Sequence, residues 1–422
     1  MKIVALVLFI AMYVLMISIP KKRPYIALGT AVIFIVIGLL PVTVIFGEID
    51  WNVLMMIAGT MVIIDFFIES KMPNLMADIL LDKSKNVMWV TIFMSLFSGI
   101  VSAFIDNVAT VLMVAPVALA ICKKLNISPV GMILSIAVSS NLQGAATLVG
   151  DTTSIMLGAY AGMDFTDFFW MNGRPGIFFA VELGAIATVP IMMYLFRKEK
   201  DPVEAKDKTR VTDIMPTIFT VGMVACLIGA SFIKNKPSVT NGLICCTIAV
   251  ISLIYDTIKN KKADGAKRAL SNLDFETLLL LLGLFLVIAG ITNAGLIDDM
   301  ASLIVKAGGS NLFLLYTIIV WGSVLISAFV DNIPYVATML PVLLGVTTRM
   351  GIEPYVLYFG LLCGATLGGN ITPIGASANI TAVGMLRKEG YEVSFPTFMR
   401  IGVPFTLTAV LMGYLYIWFV WK

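Results

Sequence analysis

Long apolar runs separated by short charged stretches dominate the chain. A helix needs about 20 apolar residues to cross a bilayer. Runs at 2–19, 25–46, 51–70, 128–160, 172–196, 212–233, 239–258, 274–294, 353–384 and 396–420 come near or above that length. Two further runs, 86–122 and 311–347, are too long for one crossing and too short for two with a loop. Each is interrupted near its middle by a polar pair, Asp106-Asn107 or Asp331-Asn332. That pattern predicts a re-entrant hairpin with the pair at its tip. Runs 128–160 and 353–384 are over-long and have polar, Gly-rich interiors. They predict broken helices, tolerated in a membrane where the irregular backbone is buried in protein or lines a cavity. The expected fold class is an all-α polytopic membrane protein. The amphipathic stretches 73–82 and 295–306 fit interfacial helices and plain loops equally well.

Composition supports the same class. Hydrophobic residues are 59% and charged residues 13% of the chain, against roughly 45–50% and 25% in soluble domains. The chain has no histidine, which excludes His-based catalysis and His metal sites. Its five cysteines lie in apolar segments without zinc spacing and read as small hydrophobes. A net charge of +3 with no basic stripe excludes nucleic acid as a partner; the bilayer is the expected one. No enzyme chemistry is expected. An aspartyl dyad is the one conceivable nucleophile-activating pair, and its context here is not that of a protease.

The first run is followed by Pro20-Lys21-Lys22-Arg23 rather than by small residues. It therefore reads as the first span and not as a cleaved signal. With the N-terminus outside, the cytoplasmic stretches hold all Lys and Arg except Lys2, Arg174, Lys234, Lys236, Lys306, Arg349 and Lys422. This agrees with the positive-inside rule. Ten crossings would place both termini outside a cell (plasma or inner) membrane.

The chain also repeats itself. Ser102-Ala103-Phe104-Ile105-Asp106-Asn107 recurs 225 positions later as Ser327-Ala328-Phe329-Val330-Asp331-Asn332. At the same offset Pro116 meets Pro341, and Gly144-x-x-Thr147-x-x-Gly150 meets Gly369-x-x-Thr372-x-x-Gly375. Residues 1–200 form the first expected repeat, with hairpin 86–122 and broken helix 128–160. Residues 201–211 form a cytoplasmic linker. Residues 212–422 form the second repeat, with hairpin 311–347 and broken helix 353–384. Five crossings per repeat is an odd number, so the second is inverted relative to the first. Inverted repeats with matched broken helices point to a secondary transporter with a midplane site.

Acids at membrane depth are costly, by about 2.5–3.5 kcal/mol on insertion scales, and are functional candidates. Asp106 and Asp331 offer carboxylates, Asn107 and Asn332 neutral carbonyls. Such hard oxygen ligands suit Na⁺ or an exchanging proton. Asp-Asn also caps a following helix well, and cap and ligand are compatible roles. The Gly-x-x-Thr-x-x-Gly breaks supply hydroxyls, carbonyls and helix N-terminal amides. Asp151 adjoins the first break. Asp65 and Glu182 lie in other spans, and the repeat mate of Asp65 is Ala289. No Lys or Arg is placed at their depth, so these acids are expected to be unpaired.

These motifs are similar to those of the ion transporter superfamily, and most of all to the permease group of arsenite permease ArsB, sodium–proton antiporter NhaD and the melanosomal P protein. The likeness rests on Ser-Ala-Phe-(Ile/Val)-Asp-Asn with its following Pro116 or Pro341, and on the run Gly364–Asn379. It implies an elevator-type homodimer with a fixed scaffold and a moving transport domain. Divalent anion–sodium symporters of the superfamily carry Ser-Asn-Thr at each hairpin tip, at a Na⁺ site. Here Asp106-Asn107-Val108 and Asp331-Asn332-Ile333 stand in those places. Gly150-Asp151-Thr152-Thr153-Ser154 likewise departs from the group's usual Gly-Asp-Pro-Pro-Asn. The expectation is a Na⁺/H⁺-coupled carrier with no cofactor beyond its coupling ion. Asp106, Asn107, Asp331 and Asn332 would bind Na⁺, and Thr147, Asp151, Thr372, Ser377 and Asn379 would line the site. In the alternatives, the protein passes arsenite or another anion, or is a passive channel. The hairpins and broken helices would form the transport domain and all remaining spans the scaffold.

Overall fold

The computed structural model describes residues 1–202, 209–309 and 311–422. Residues 203–208 of the expected linker lie outside them. Twenty α-helices follow one another in two runs of ten. The first run is α1 Lys2–Ser18, α2 Arg23–Val36, α3 Ile45–Glu48, α4 Trp51–Glu69, α5 Met72–Asp82, α6 Val87–Ser102, α7 Asn107–Leu125, α8 Val130–Gly144, α9 Thr152–Ala161 and α10 Ile177–Leu195. The second is α11 Met215–Ser231, α12 Thr240–Asn260, α13 Asp264–Ser271, α14 Phe275–Asn293, α15 Leu296–Gly308, α16 Leu312–Ser327, α17 Asn332–Met350, α18 Tyr355–Gly368, α19 Ser377–Lys388 and α20 Phe395–Trp421. A two-residue antiparallel ribbon, Trp170–Met171 with Arg174–Pro175, precedes α10.

The helix starts and stops recur together because the residues that set them recur. Asp50 accepts the Val53 amide at the start of α4, and Asp274 accepts the Thr277 amide at the start of α14. Asn86 and Asn311 cap α6 and α16 in the same way. Asp106 and Asp331 cap α7 and α17. A short side-chain oxygen on a first-turn amide satisfies a donor the helix cannot. Left-handed residues match too: Lys71 with Gly295, and Asn126 with Gly351.

Among the described residues, α4, α7, α10, α12, α14, α17 and α20 are long and apolar enough to cross a bilayer, and α1, α6, α8, α11 and α18 are shorter apolar helices. The expected span 25–46 is shortened. Its helix stops at Val36, and Gly38 turns the chain at φ +77°. The two ambiguous stretches are helices, α5 and α15. Helix α13 lies in a charged stretch where none was expected.

The broken helices occupy the centre. Every residue from Met132 to Gly144 and from Val356 to Gly368 is buried. Helix α8 packs on α6 and α7, and α18 on α16 and α17. Two close crossings join the runs reciprocally, α4 on α12 and α2 on α14. Each turns on a glycine. A Cβ on Gly59 would stand 2.5 Å from the Cys245 carbonyl carbon, and one on Gly283 2.7 Å from the Leu28 nitrogen. Lipid tails are as apolar as the helices, so such backbone approach supplies the packing that hydrophobic burial cannot. Two groups of helices have few direct contacts with each other, α1, α2, α4 and α11–α14, and α6–α10 with α16–α20; α5 and α15 lie between them and touch both. Helices α10 and α20 differ from expectation here. They pack on each other, and α20 also packs on α8 and α18, so both sit with the hairpins rather than with the other full-length spans.

Candidate functional site

The interruption between α6 and α7 docks on the one between α8 and α9. The Thr147 hydroxyl donates to the Ala103 carbonyl, and Thr372 repeats the bond to the Ala328 carbonyl. Each threonine oxygen lies 3.4 Å from the amide two residues on, Val149 or Ile374. Gly150 and Gly375 sit against the same tips. A Cβ on Gly150 would meet the carbonyl oxygens of Ser102 and Ala103 at 2.7 Å, and one on Gly375 those of Ser327 and Ala328 at 2.7 and 2.9 Å. The Gly-x-x-Thr-x-x-Gly motif thus joins tip to break. In this conformation the two threonines hold backbone.

The hairpin carboxylates have different surroundings. Asp106 Oδ1 accepts the amides of Val108 and Ala109 at 3.0 and 3.1 Å. Among the described residues no side chain donates to it. Asp106 lines a cavity of about 490 Å³ together with Asp65, Asn272, Asp274 and Thr60. A narrow cleft beyond it is lined by both Asp106 and Asp151. Asp331 is buried. Its Oδ1 accepts the Ile333 amide at 3.1 Å, and its Oδ2 accepts Arg23 Nη1 at 2.9 Å and the Ser377 hydroxyl at 3.2 Å. This corrects the expectation that no basic side chain reaches the site. Asp65 is paired as well, receiving Arg268 at 3.0 Å and the Asn272 amide at 2.8 Å. Arg268 comes from α13, the unexpected helix.

Two buried polar clusters join the halves. Asn107 donates to Asn141 at 2.8 Å, and Asn141 donates to Asn370 at 2.8 Å and Asn379 at 3.0 Å. Asn379 in turn donates to the carbonyls of Gly369 and Thr372. In the second cluster the Thr153 hydroxyl donates to Asp151 at 2.8 Å, the Asn332 amide reaches Asp151 at 3.5 Å, and Thr153 pairs with Thr366 at 3.1 Å. Satisfied networks of this kind hold a site in one geometry. All nine expected site residues therefore lie at the tips, the breaks or the clusters between them. Glu182 lies on α10, outside this region.

Sequence reasoning missed Asn141, Asn370, Thr153, Thr366 and Arg23. A signal existed for Asn141, which stands with Ser139, Ser140 and Gln143 in the polar interior of an over-long apolar run. None existed for Arg23, which reads locally as an interfacial anchor. Among the described residues no three acids or cysteines stand together as a metal cluster. A monovalent cation here would rely on carboxylate, amide and main-chain oxygens.

Helices α9 and α19 begin at the breaks, and neither has a side-chain cap. Their first-turn amides are donors in need of acceptors.

A family model described as a citrate transporter matches residues 13–263 and 239–422. An uncharacterized transporter of Mycobacterium tuberculosis is 31% identical over 99% of this chain and 98% of its own length. The human P protein is 26% identical over 87% of this chain and 53% of its own length. Among solved structures, the YdaH transporter of Alcanivorax borkumensis superposes with a TM-score of 0.63 at 14% identity, over 89% of this chain and 86% of its own. MtrF of Neisseria gonorrhoeae, described as illuminating a class of antimetabolite efflux pumps, gives 0.54 at 13%, over 87% and 80%. These two share the fold. The chain is a multi-pass membrane protein and a secondary transporter, not an enzyme, and it belongs to the citrate-transporter family within the ArsB/NhaD-like ion transporter superfamily.

Proposed function

We propose that the protein is a cation-coupled carrier, exchanging Na⁺ and H⁺ at the hairpin carboxylates. One observation carries this reading. Among the described residues no side chain bonds Asp106, and it lines a cavity that also holds Asp65 and Asp274. A carboxylate in a membrane cavity without a counter-charge attracts a small cation or a proton, because charge at that depth is costly. The two ten-helix runs are inverted repeats, and the group of α6–α10 and α16–α20 moves as one unit against α1, α2, α4 and α11–α14. The sparse contact between the groups supports this elevator motion. The cavity opens among residues assigned to the cytoplasmic side, so the conformation is inward-facing. The protein works as a homodimer in the plasma or inner membrane, with both termini outside.

The test uses purified protein in proteoliposomes loaded with a pH-sensitive dye. Outward Na⁺ or Li⁺ gradients should move protons in wild type and fail to in Asp106→Asn and Asp331→Asn. Cation-driven proton movement that survives both substitutions would refute the assignment. A second reading, anion transport, is favoured by the two uncapped helix starts at α9 and α19. Helix N-termini bind anions readily. Uptake of citrate, arsenite or chloride by the same vesicles, with no response to Na⁺ or Li⁺, would establish it.

A further inference from the structure

The two tips match in sequence, capping and docking, yet among the described residues only Asp331 of the two carboxylates has a cationic partner. Arg23 supplies it from the first turn of α2, where its Nε is tethered to the Met16 carbonyl at 3.3 Å. Its Nη1 reaches Asp331 across 308 residues of chain. Both side chains are removed from water, Arg23 15% and Asp331 4% exposed. The adjoining helix strengthens the contact. Tyr13 of α1 bonds the Pro334 carbonyl and the Thr338 hydroxyl of α17, both at 2.7 Å. Arg23 and Tyr13 belong to one helix group, and Asp331, Pro334 and Thr338 to the other. Among the described residues no basic side chain bonds Asp106: Lys236, between α11 and α12, pairs with Asp164, and Arg268 pairs with Asp65 on the wall of the Asp106 cavity. Helix α11 carries no basic residue, and Lys259, the basic residue of α12, pairs with Asp213.

We propose that Arg23 is a tethered competitor, which occupies the cation site at Asp331 with its own guanidinium in this conformation. This rests on the cation-coupled reading above. A buried carboxylate neutralised by a guanidinium has no charge left to hold Na⁺, since a second cation there would meet the first at close range. Motion of the hairpin group along α1 and α2 separates Arg23 from Asp331 and frees the carboxylate. Arg23 then competes with the ion in one state and is absent in the other. The carrier therefore holds a cation at Asp106 alone in the present state, and at both tips once Asp331 has left Arg23. Arg23 is a positioning residue that sets how many cations accompany each conformation.

The test is thermal unfolding of the purified full-length protein in detergent, titrated with NaCl against choline chloride at constant ionic strength. Wild type should be stabilised by Na⁺ through Asp106. Asp106→Asn should lose that response, and Asp106→Asn with Arg23→Gln should regain it. Adding Asp331→Asn should abolish it again. In the otherwise native protein, Arg23→Gln should enlarge the Na⁺-induced rise in melting temperature, because a second bound cation adds to the stabilisation. Arg23→Lys, which keeps the charge but loses the Met16 tether, should fall between. It also keeps the test open if the glutamine variant does not fold. A Na⁺ response in wild type that neither Arg23 variant alters would overturn the inference and leave the cation-coupled reading intact. No Na⁺ or Li⁺ response in wild type or any variant would overturn both.

Discussion

Gly150 and Gly375 allow the hairpin tips to be tested without touching a charged group. Neither sits at positive φ, so the constraint is space and not backbone angle. An added Cβ on Gly150 would stand 2.5 Å from the Gly144 carbonyl oxygen and 2.7 Å from those of Ser102 and Ala103. On Gly375 the nearest oxygens, of Gly369 and Ser327, are at 2.6 and 2.7 Å. Close carbon–oxygen contacts between chains run at about 3.3–3.6 Å, so tip and break must part by roughly 0.6–0.9 Å. All three neighbours are backbone, which cannot swing aside as a side chain can. Such overpacking costs about 1–3 kcal/mol. The opening also weakens the Thr147–Ala103 or Thr372–Ala328 bond, worth about 1 kcal/mol. Alanine at either position should therefore destabilise the protein by about 2–4 kcal/mol and lower its apparent Tm by roughly 5 °C. Ion-driven transport in proteoliposomes should fall with it, since the tip no longer seats on its break. Gly222→Ala is the control, because a Cβ there meets nothing within 4 Å and alanine suits a helix better than glycine. A Gly150→Ala protein with wild-type melting and wild-type transport would refute the docking role assigned to the motif.

Two further predictions concern packing away from the carboxylates. Asn141→Leu removes one acceptor and two donated bonds from a fully buried cluster. It should cost about 2–4 kcal/mol through the amides left unpaired, measured as a fall in melting temperature with loss of transport; an undiminished protein would show the cluster to be dispensable. Gly59→Val and Gly283→Val force apart α4 from α12 and α2 from α14, and each should cost at least about 1–3 kcal/mol. The added side chains would strike different residues, Cys245 and Cys246 in one case and Ala27 and Leu28 in the other, so their effects in chemical denaturation should add; strong non-additivity would show the crossings to be coupled.

Much of the fold was legible along the chain. The interruptions expected in 86–122 and 311–347 appear between α6 and α7 and between α16 and α17, at Asp106 and Asp331. The broken helices 128–160 and 353–384 appear as α8–α9 and α18–α19. These were readable because lipid imposes a length on every span, and because caps and left-handed stops depend on residues next to the break. The repeat made each signal count twice.

What the sequence determined by itself was local: which segments are helical, where they break, and which residues stand at the breaks. Tertiary structure decided the partners. That α10 and α20 pack with the hairpins, that Arg23 reaches Asp331 and Arg268 reaches Asp65, and that Asn141 links Asn107 to Asn370 and Asn379 are matters of contact between distant segments. Apolar helices offer no directional code for choosing neighbours, since any apolar face packs acceptably against another or against lipid. A lysine or arginine at a span's end looks like an interfacial anchor whether it faces water or a buried carboxylate. The near-identical tips at Asp106 and Asp331 therefore promised equal surroundings, and only their place relative to α1 and α2 made them different.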